Sequence, residues 1–167
     1  RSHLVRTHSM TRNFSNTGTN TQQTTKAHSK TLVQNQIAQL YSLIRLESGV
    51  KHDFLENNRD VLENIFEMGL NQERLDEVWF VIVDQQNRIV DEWVLDISYT
   101  SGFYELTSPS RETVQEEVAY YGTNDGYKAF ILPVIDGQNV FNTPDSDGFG
   151  VDSFGGPGVN VDIGHLR

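Results

Sequence analysis

The residues with the clearest potential for chemistry lie close to the C-terminus. Asp145, Asp147 and Asp152 occur within eight residues of one another, and His165 follows them. Carboxylates and an imidazole are side chains that hold a catalytic divalent cation. The segment lacks the spacing and the terminal Glu of an EF-hand calcium loop, so an acidic glycine-rich loop is the competing interpretation. One hypothesis is therefore a small α+β metal-dependent enzyme with its site in this C-terminal arm.

Other candidates for catalysis are weaker. His52 and Glu56 could share one helix face, but a histidine beside carboxylates on a polar face is typical of a solvated surface. The glycine-rich run at 155–158 lacks the GK[ST] ending of a phosphate-binding loop. The chain has no cysteine, which excludes disulfides and thiolate metal sites. The favoured expectation is a protein that is not an enzyme and has no catalytic residue, no metal and no cofactor.

The charge of the chain is unevenly distributed. The formal net charge is -10, yet the first 30 residues carry five basic and no acidic side chains. An acidic body repels phosphate backbones and argues against duplex nucleic acid as a ligand. No apolar run approaches the ~20 residues of a membrane span. The absence of cysteine fits a reducing compartment, so we expect a cytoplasmic protein without a membrane partner.

A hairpin organises the expected sheet. Residues 78–83 are all apolar, and such a run is typical of a strand that is covered on both faces, here 78–84. Residues 88–99 mix apolar and acidic positions, which predicts an outer strand with one solvent-exposed face. We expect this strand to pair with one side of 78–84. A third strand at 127–135 contains Pro133, which cannot donate to a ladder. We therefore expect this third strand on the other side of 78–84, at an edge.

Three helices are expected around this sheet. The apolar spacing predicts a helix over 29–48 that Gly49 ends, and a second helix over about 52–68. Residues 100–107 are expected to form a loop. Ser108-Pro109 then has the cap and first-turn signature of a third helix, which Gly122 closes. Helices combined with an antiparallel sheet predict the α+β class.

The chain divides into three parts by composition. Residues 1–28 form a polar head that we expect to be flexible alone, 29–136 form the core, and 137–167 form a glycine-rich arm. Met10 looks like a native first residue, which would make 1–9 an added segment. The arm contains apolar residues that could pack against the core, and it ends in a short alternating strand. These arm residues are Phe141, Phe149 and Phe154, and then the strand residues Val159, Val161 and Ile163.

The order of helix, helix, hairpin, helix, strand and long arm resembles the HORMA domain, and most closely the bacterial HORMA group found beside cGAS-like nucleotidyltransferases in CBASS antiphage operons. The resemblance covers about residues 29–135, and the arm matches the family's C-terminal safety belt in character. It is carried by a pattern of apolar positions and a few polar ones. The segments that carry it are Leu46-Glu-Ser-Gly49, His52-Asp-Phe54, Asn58-Arg-Asp-Val-Leu62, Ile65-Phe66, Val81 to Asp84, Ile89-Val90, Trp93-Val-Leu-Asp96 and Ile97-Ser-Tyr99.

The resemblance implies a HORMA-like fold and a peptide-binding function. In that family the belt wraps a short peptide, the closure motif, which lies as an added strand against the sheet. The implied peptide-binding residues are Tyr127, Ala129, Phe130, Ile131, Leu132, Pro133, Phe141, Phe149 and Phe154. The implied partners are the closure-motif peptide, a cGAS-like nucleotidyltransferase that the closed form activates, an AAA+ ATPase related to the pachytene-checkpoint remodeller, and a second HORMA protein.

Two further expectations concern the ends of the chain. The alternation at 159–163 predicts that this strand pairs with the outer edge of 88–97 in the closed state. Residues 3–9 have strand propensity and no helix signal, so we expect them to act as a closure-motif-like peptide, bound in cis or by a neighbouring molecule. The alternative is that they are a tag remnant. A structural subunit that uses its sheet edge only to oligomerise is a further hypothesis.

Overall fold

One antiparallel sheet and several helices form an α+β fold, as the sequence predicts. The structure is a computed structural model that describes residues 18–122, 126–142 and 161. Its elements are β1 Thr19–Thr24, α1 Lys26–Ser48, α2 Phe54–Asn57, α3 Arg59–Asn71, β2 Leu75–Val83, β3 Ile89–Thr100, β4 Phe103–Pro109, α4 Arg111–Glu117, β5 Lys128–Ile135, β6 Gln138–Asn139 and a 3₁₀ turn at Val140–Asn142.

The sheet has the strand order β1-β4-β3-β2-β5-β6. Every neighbouring pair is antiparallel. Strand β2 lies between β3 and β5, which confirms the central position predicted for 78–84. Seven of its residues, from Glu77 to Val83, are buried, as expected of a strand covered on both faces.

Strand β3 is not the outer strand that the sequence predicts. The expected loop at 100–107 is largely β4, which pairs with Asp96 to Thr100 on the side of β3 away from β2. Asp91 and Glu92 are 0% exposed, so the wet face expected from these acids is also wrong. Sequence reasoning missed β4 because its last residues, Ser108-Pro109, resemble the start of a helix.

The polar head contributes the edge strand β1. Residues Thr19–Thr24, which the sequence assigns to the flexible head, pair with β4 along their whole length. A side-chain contact between Thr21 Oγ1 and Thr107 Oγ1 at 3.2 Å adds to this ladder. No residue of β1 is fully buried, so the backbone ladder is its main support. Residues 3–9 lie outside the described residues.

The helices differ from prediction at their boundaries. Helix α1 ends at Ser48, and Gly49 follows with a φ of 76°, which confirms the predicted glycine stop. The helix expected at 52–68 is two helices, because Asn58 has a non-helical φ of -132°. The cap of α4 is Ser110, whose Oγ accepts from Thr113 N at 3.1 Å, whereas the predicted Ser108-Pro109 belongs to β4.

Tyrosine hydroxyls and a glycine contact fix the helices to the sheet. Tyr104 Oη donates to Leu70 O of α3 at 3.2 Å. A Cβ added to Gly69 would lie 3.0 Å from side-chain atoms of Leu75 and Ile135, so α3 approaches the sheet closely there. None of the helices in the described part of the chain combines the length and the hydropathy that a membrane span requires.

Candidate functional site

The outer edge of β5 is the candidate site that the sequence predicts. Strand β5 pairs with β2 on one side. On its other side, β6 covers only the end of the strand, where Val134 faces Asn139 and Ile135 faces Gln138. The turn between them, Asp136-Gly137, has positive φ at both residues, as a two-residue hairpin requires. Strand β5 is therefore not the last strand of the sheet, and within the described residues no strand pairs with it before Val134.

The register shows which backbone groups face outward from this edge. In an antiparallel ladder, alternate residues direct N–H and C=O to opposite neighbours. Ile135 closes the hairpin with Gln138, so its groups face outward, and by alternation so do those of Pro133, Ile131 and Ala129. Proline has no N–H, and β6 stops before it reaches Pro133. The wide pair Val134–Asn139 next to the bonded pair Ile135–Gln138 brings the Val140 N–H to the Pro133 carbonyl, so upstream of the hairpin the outward groups are those of Ile131 and Ala129.

The side chains of His52 and Tyr41 already form hydrogen bonds with both backbone groups of Ala129. Its N–H donates to His52 Nδ1 at 3.2 Å. Its carbonyl accepts from Tyr41 Oη at 2.6 Å and lies 3.0 Å from the same His52 nitrogen. Because both backbone groups of Ala129 have side-chain partners, an added strand cannot pair with this residue while His52 and Tyr41 stay in place.

Arg45 holds His52 in position. His52 lies in the connection between α1 and α2, and Arg45 bridges that connection with three hydrogen bonds. Its Nε donates to His52 O at 3.0 Å, its Nη2 to Lys51 O at 2.8 Å, and its Nη1 to Asp53 Oδ2 at 3.1 Å. The connection is further fixed because Phe54 N donates to Tyr41 Oη at 2.7 Å. His52 and Tyr41 thus belong to one braced polar network.

The electrostatics favour a neutral His52. Burial lowers the pKa of His52, and the positive charges of Lys128 and Arg45 lower it further. A single nitrogen cannot accept from the Ala129 N–H and donate to the Ala129 carbonyl at once. Since Tyr41 already donates to that carbonyl, the acceptor role fits His52 Nδ1. Burial raises the pKa of Tyr41, which keeps its hydroxyl a donor.

An aromatic cluster surrounds the start of the edge. The ring of Phe130 lies 5.1 Å from that of His52 and 5.3 Å from that of Phe54, both in edge-to-face contact. Phe141, from the 3₁₀ turn after β6, contacts Phe54 at 5.4 Å. The predicted peptide-binding residues Phe130 and Phe141 are therefore brought together, and Phe54 joins them.

The other predicted site residues have structural positions. Ala129, Ile131, Leu132 and Pro133 are buried, so their side chains serve the core and only their backbone can meet a partner. Tyr127 is half-buried and its ring lies 4.6 Å from that of Tyr121. The remaining predicted residues, Phe149, Phe154, Val159 and Ile163, lie outside the described residues.

Val161 is held on the β6 side of the sheet. Asn139 Nδ2 donates to Val161 O at 3.0 Å, and Asn139 Oδ1 accepts from Phe141 N at 3.1 Å. Val161 is buried in the core cluster. The predicted pairing of 159–163 with the outer edge of 88–97 is therefore not made at Val161. At the far end of that edge, β4 already occupies Asp96 and Ile97.

The prediction that His52 shares a helix face with Glu56 is wrong, and the partners of His52 were not predicted. His52 precedes α2 and does not share a helix face with Glu56, which instead contacts Arg59. No local signal could show that residue 52 meets residue 129. Asn139 was also missed, because a lone asparagine after a Gly turn is an ordinary loop residue.

The alternative metal site cannot be located in the described part of the chain. Asp145, Asp147, Asp152 and His165 all lie outside residues 18–122, 126–142 and 161. Within those residues, no group of three or more His, Asp or Glu side chains is placed to hold a metal ion. No protein-family model, curated protein or solved structure matches the chain.

Proposed function

We propose that the protein is a HORMA-like, non-enzymatic regulator that captures an extended peptide at the outer edge of β5. The observation that carries this proposal is the edge itself. Strand β5 is next to last in the sheet, and its only outer partner among the described residues is the two-residue strand β6. An edge with free backbone groups is a template for strand addition, in which the backbone bonds give affinity and side-chain pockets give selectivity.

Two neighbouring features support a capture site. The buried cluster of Phe54, Phe130 and Phe141 lies at the same edge and fixes the start of α2 against β5. Residue 143, the start of the undescribed part of the arm, directly follows the 3₁₀ turn that contains Phe141, and Asn139 Nδ2 of β6 donates to Val161 O. A belt that starts and returns on the β5 side can close over a peptide there.

The proposed place in signalling follows from the resemblance described above. The closed, peptide-bound form activates a cGAS-like nucleotidyltransferase in antiphage defence. A pachytene-checkpoint-like AAA+ ATPase reopens it, and a second HORMA protein is a further partner. The peptide of residues 3–9 is the first candidate ligand within the chain, with Val5 as its central apolar residue.

A labelled synthetic peptide of residues 1–10 tests the capture site. The protein is the full chain with Val5→Asp, so that its own head does not compete. We expect a change in fluorescence anisotropy at micromolar protein and a shift of the Ile131 amide signal in NMR spectra. The same peptide with Val5→Asp is the matched control and should bind more weakly.

A displayed library of random ten-residue peptides separates this ligand from the function. If residues 1–10 do not bind but selected peptides shift the Ile131 amide, the head is not the ligand and the capture site stands. If no selected peptide perturbs Ile131 or its neighbours in β5, the proposed function is wrong.

A further inference from the structure

A groove lies on the outer surface of α1, beside α4 and the last residues of β4. It consists of two adjoining concavities of about 160 and 440 Å³, and both are lined by Gln39, Leu43 and Arg111. The larger concavity also includes Leu46 of α1. We call this feature the α1–α4 groove. Its described lining includes no residue of β5, so the groove is separate from the candidate site at that edge.

The groove lies where the protein exposes large apolar side chains. Leu46 is 73% exposed and Tyr120 is 69% exposed, and no other large hydrophobic side chain in the described part of the chain is exposed. Tyr120 lies at the same end of α1, because a Cβ added to Gly49, one turn after Leu46, would lie 2.6 Å from the Tyr120 ring. One exposed apolar residue needs no explanation, but two at the same helix end favour a contact surface.

Arg111 is the cation of the groove, and within the described residues it has no ion-pair partner. Every other arginine in this part of the chain pairs with a carboxylate. These pairs are Arg45–Asp53, Arg59–Glu56, Arg74–Asp136 and Arg88–Asp84. Arg111 is exposed in a chain with a net charge of -10, yet no described carboxylate pairs with it. Its guanidinium is therefore available to a carboxylate from another molecule.

We propose that the α1–α4 groove docks an acidic segment of a partner protein, in which an Asp or Glu side chain lies close to an apolar side chain. The carboxylate pairs with Arg111, whose planar guanidinium can donate two parallel hydrogen bonds to it. The apolar side chain packs on Leu43 and Leu46 in the larger concavity. This surface goes beyond the proposed peptide capture at β5 and does not depend on it.

The size of the groove limits the spacing of the two side chains in the partner. A concavity of 440 Å³ is about 8 Å across, which fits side chains two residues apart on a strand or three to four apart on a helix. An exposed ion pair changes affinity by no more than about fivefold. Arg111 therefore supplies selectivity for the acid, and apolar burial on Leu46 has to supply the rest of the affinity.

Charge distinguishes this partner from the head of the same chain. Residues 1–17 contain Arg1, Arg6 and Arg12 and no acidic side chain, so the head offers no carboxylate to Arg111. An acidic partner segment satisfies the groove where the head does not.

A displayed library of random ten-residue peptides, selected on the full chain and depleted on full chain carrying Arg111→Gln, tests the groove. We expect the enriched peptides to hold Asp or Glu two to four residues from a large apolar residue. Synthetic versions with blocked ends should bind Arg111→Gln about fivefold more weakly than the wild type. They should also shift the methyl signals of Leu43 and Leu46 in NMR spectra. Arg88→Gln, which removes an exposed arginine of the β2–β3 turn, is the matched control and should bind like the wild type.

A double-mutant cycle identifies the pair. Replacing the acid of the peptide by its amide should weaken binding to the wild type about fivefold and leave binding to Arg111→Gln unchanged. Arg111→Gln should keep the wild-type unfolding free energy, because Arg111 makes no ion pair with the described residues. An equal loss on both proteins, or a selection in which no peptide depends on Arg111, overturns the proposal.

Other occupants of the groove give different results. A light-scattering mass of twice the chain that Leu46→Gln reduces to one chain would place a second copy in the groove and overturn the proposal. Leu46 methyl signals that move when the full chain carries Phe14→Asp would place the head there, with the same consequence. Peptides that bind the edge of β5 do not depend on Arg111, so the depletion step removes them, and failure of either site leaves the other untouched.

Discussion

At the scale of single residues, buried hydroxyl groups in this protein serve the backbone. Tyr99 Oη donates to Leu75 O at 2.6 Å, and Tyr104 Oη donates to Leu70 O. Burial raises the pKa of both tyrosines, as it does for Tyr41, so all three remain donors at neutral pH. These groups close backbone hydrogen bonds where strands and helices meet, and none is arranged as an acid or base toward a cavity.

His52 should make stability depend on pH. In the folded state its pKa lies below 6.5, because of burial first and then of Lys128 and Arg45. The unfolded chain therefore takes up this proton first as the pH falls, and stability decreases below about pH 6.5. His52→Asn keeps an acceptor without the titration. We expect the wild type to lose unfolding free energy relative to His52→Asn between pH 7.5 and 5.5.

Urea unfolding at several pH values measures this difference. His28→Asn, on the exposed side of α1, is the matched control for loss of an imidazole. Parallel pH profiles of the wild type and His52→Asn would contradict the assignment of His52 as a neutral acceptor.

His52 also shows where sequence reasoning stops at this scale. The residue types around it predicted a solvated surface, because His52, Asp53 and Glu56 are polar and close in sequence. Its actual partner is Ala129, 77 positions away, and it offers only backbone atoms. Backbone partners leave no trace in residue types, so such a contact follows only from the folded topology.

At the scale of elements, the strands with continuous apolar runs were predictable and the others were not. The positions of β2 and β5 follow from their apolar residues and from Pro133. Strand β1, Thr-Asn-Thr-Gln-Gln-Thr, carries no apolar residue and exists because it pairs with β4. Strand β4 ends in Thr-Ser-Pro, which imitates a helix start. Both β1 and β4 form because distant segments of the chain pair with each other, and local propensity does not reveal such pairing.

The end of α1 gives a prediction at this scale. Gly49 has φ +76°, and an added Cβ would lie 2.6 Å from Tyr120 and 2.8 Å from Gly122 Cα. Gly137 has φ +83° with no atom within 4 Å of such a Cβ. Both alanine variants carry the strain of a left-handed residue, about 1–2 kcal/mol. Gly49→Ala adds a steric clash, typically about 1–3 kcal/mol.

Denaturant unfolding of the two variants separates strain from crowding. Gly49→Ala should lose clearly more unfolding free energy than Gly137→Ala. Equal losses would mean that the segment containing Tyr120 moves aside without cost, and that its contact with the end of α1 is not a fixed part of the fold.

At the scale of the whole molecule, the two ends of the sheet differ in how they are held. The β1 end rests on a ladder of exposed polar residues. The β5 end is bounded by His52, Tyr41 and β6, and Asn139 connects it to the arm. The predicted head and arm therefore contact opposite ends of the sheet. The head pairs with β4, and the arm contacts β6. Changes at one end can leave the other intact.

Asn139 is the residue through which the arm can be released from the β5 end. Asn139→Asp keeps an oxygen for Phe141 N–H but loses the donor to Val161 O and places a carboxylate near that carbonyl. One net hydrogen bond contributes about 0.5–1.5 kcal/mol. We expect Val161 to leave its buried position while the core stays folded, because the substitution removes no apolar packing. If the arm is a belt, peptide dissociation should become faster at the same time.

NMR signals of labelled Val161 methyl groups report its position, and dissociation of the labelled peptide reports the belt. Asn139→Ala, which removes both bonds, should shift Val161 and also disturb Phe141, whereas Asn139→Asp should shift Val161 with less change at Phe141. Methyl shifts that stay at their wild-type values in Asn139→Asp would show that apolar contacts alone hold Val161. If Val161 is displaced but the peptide dissociates at the wild-type rate, Asn139 does hold Val161, but the arm takes no part in peptide capture.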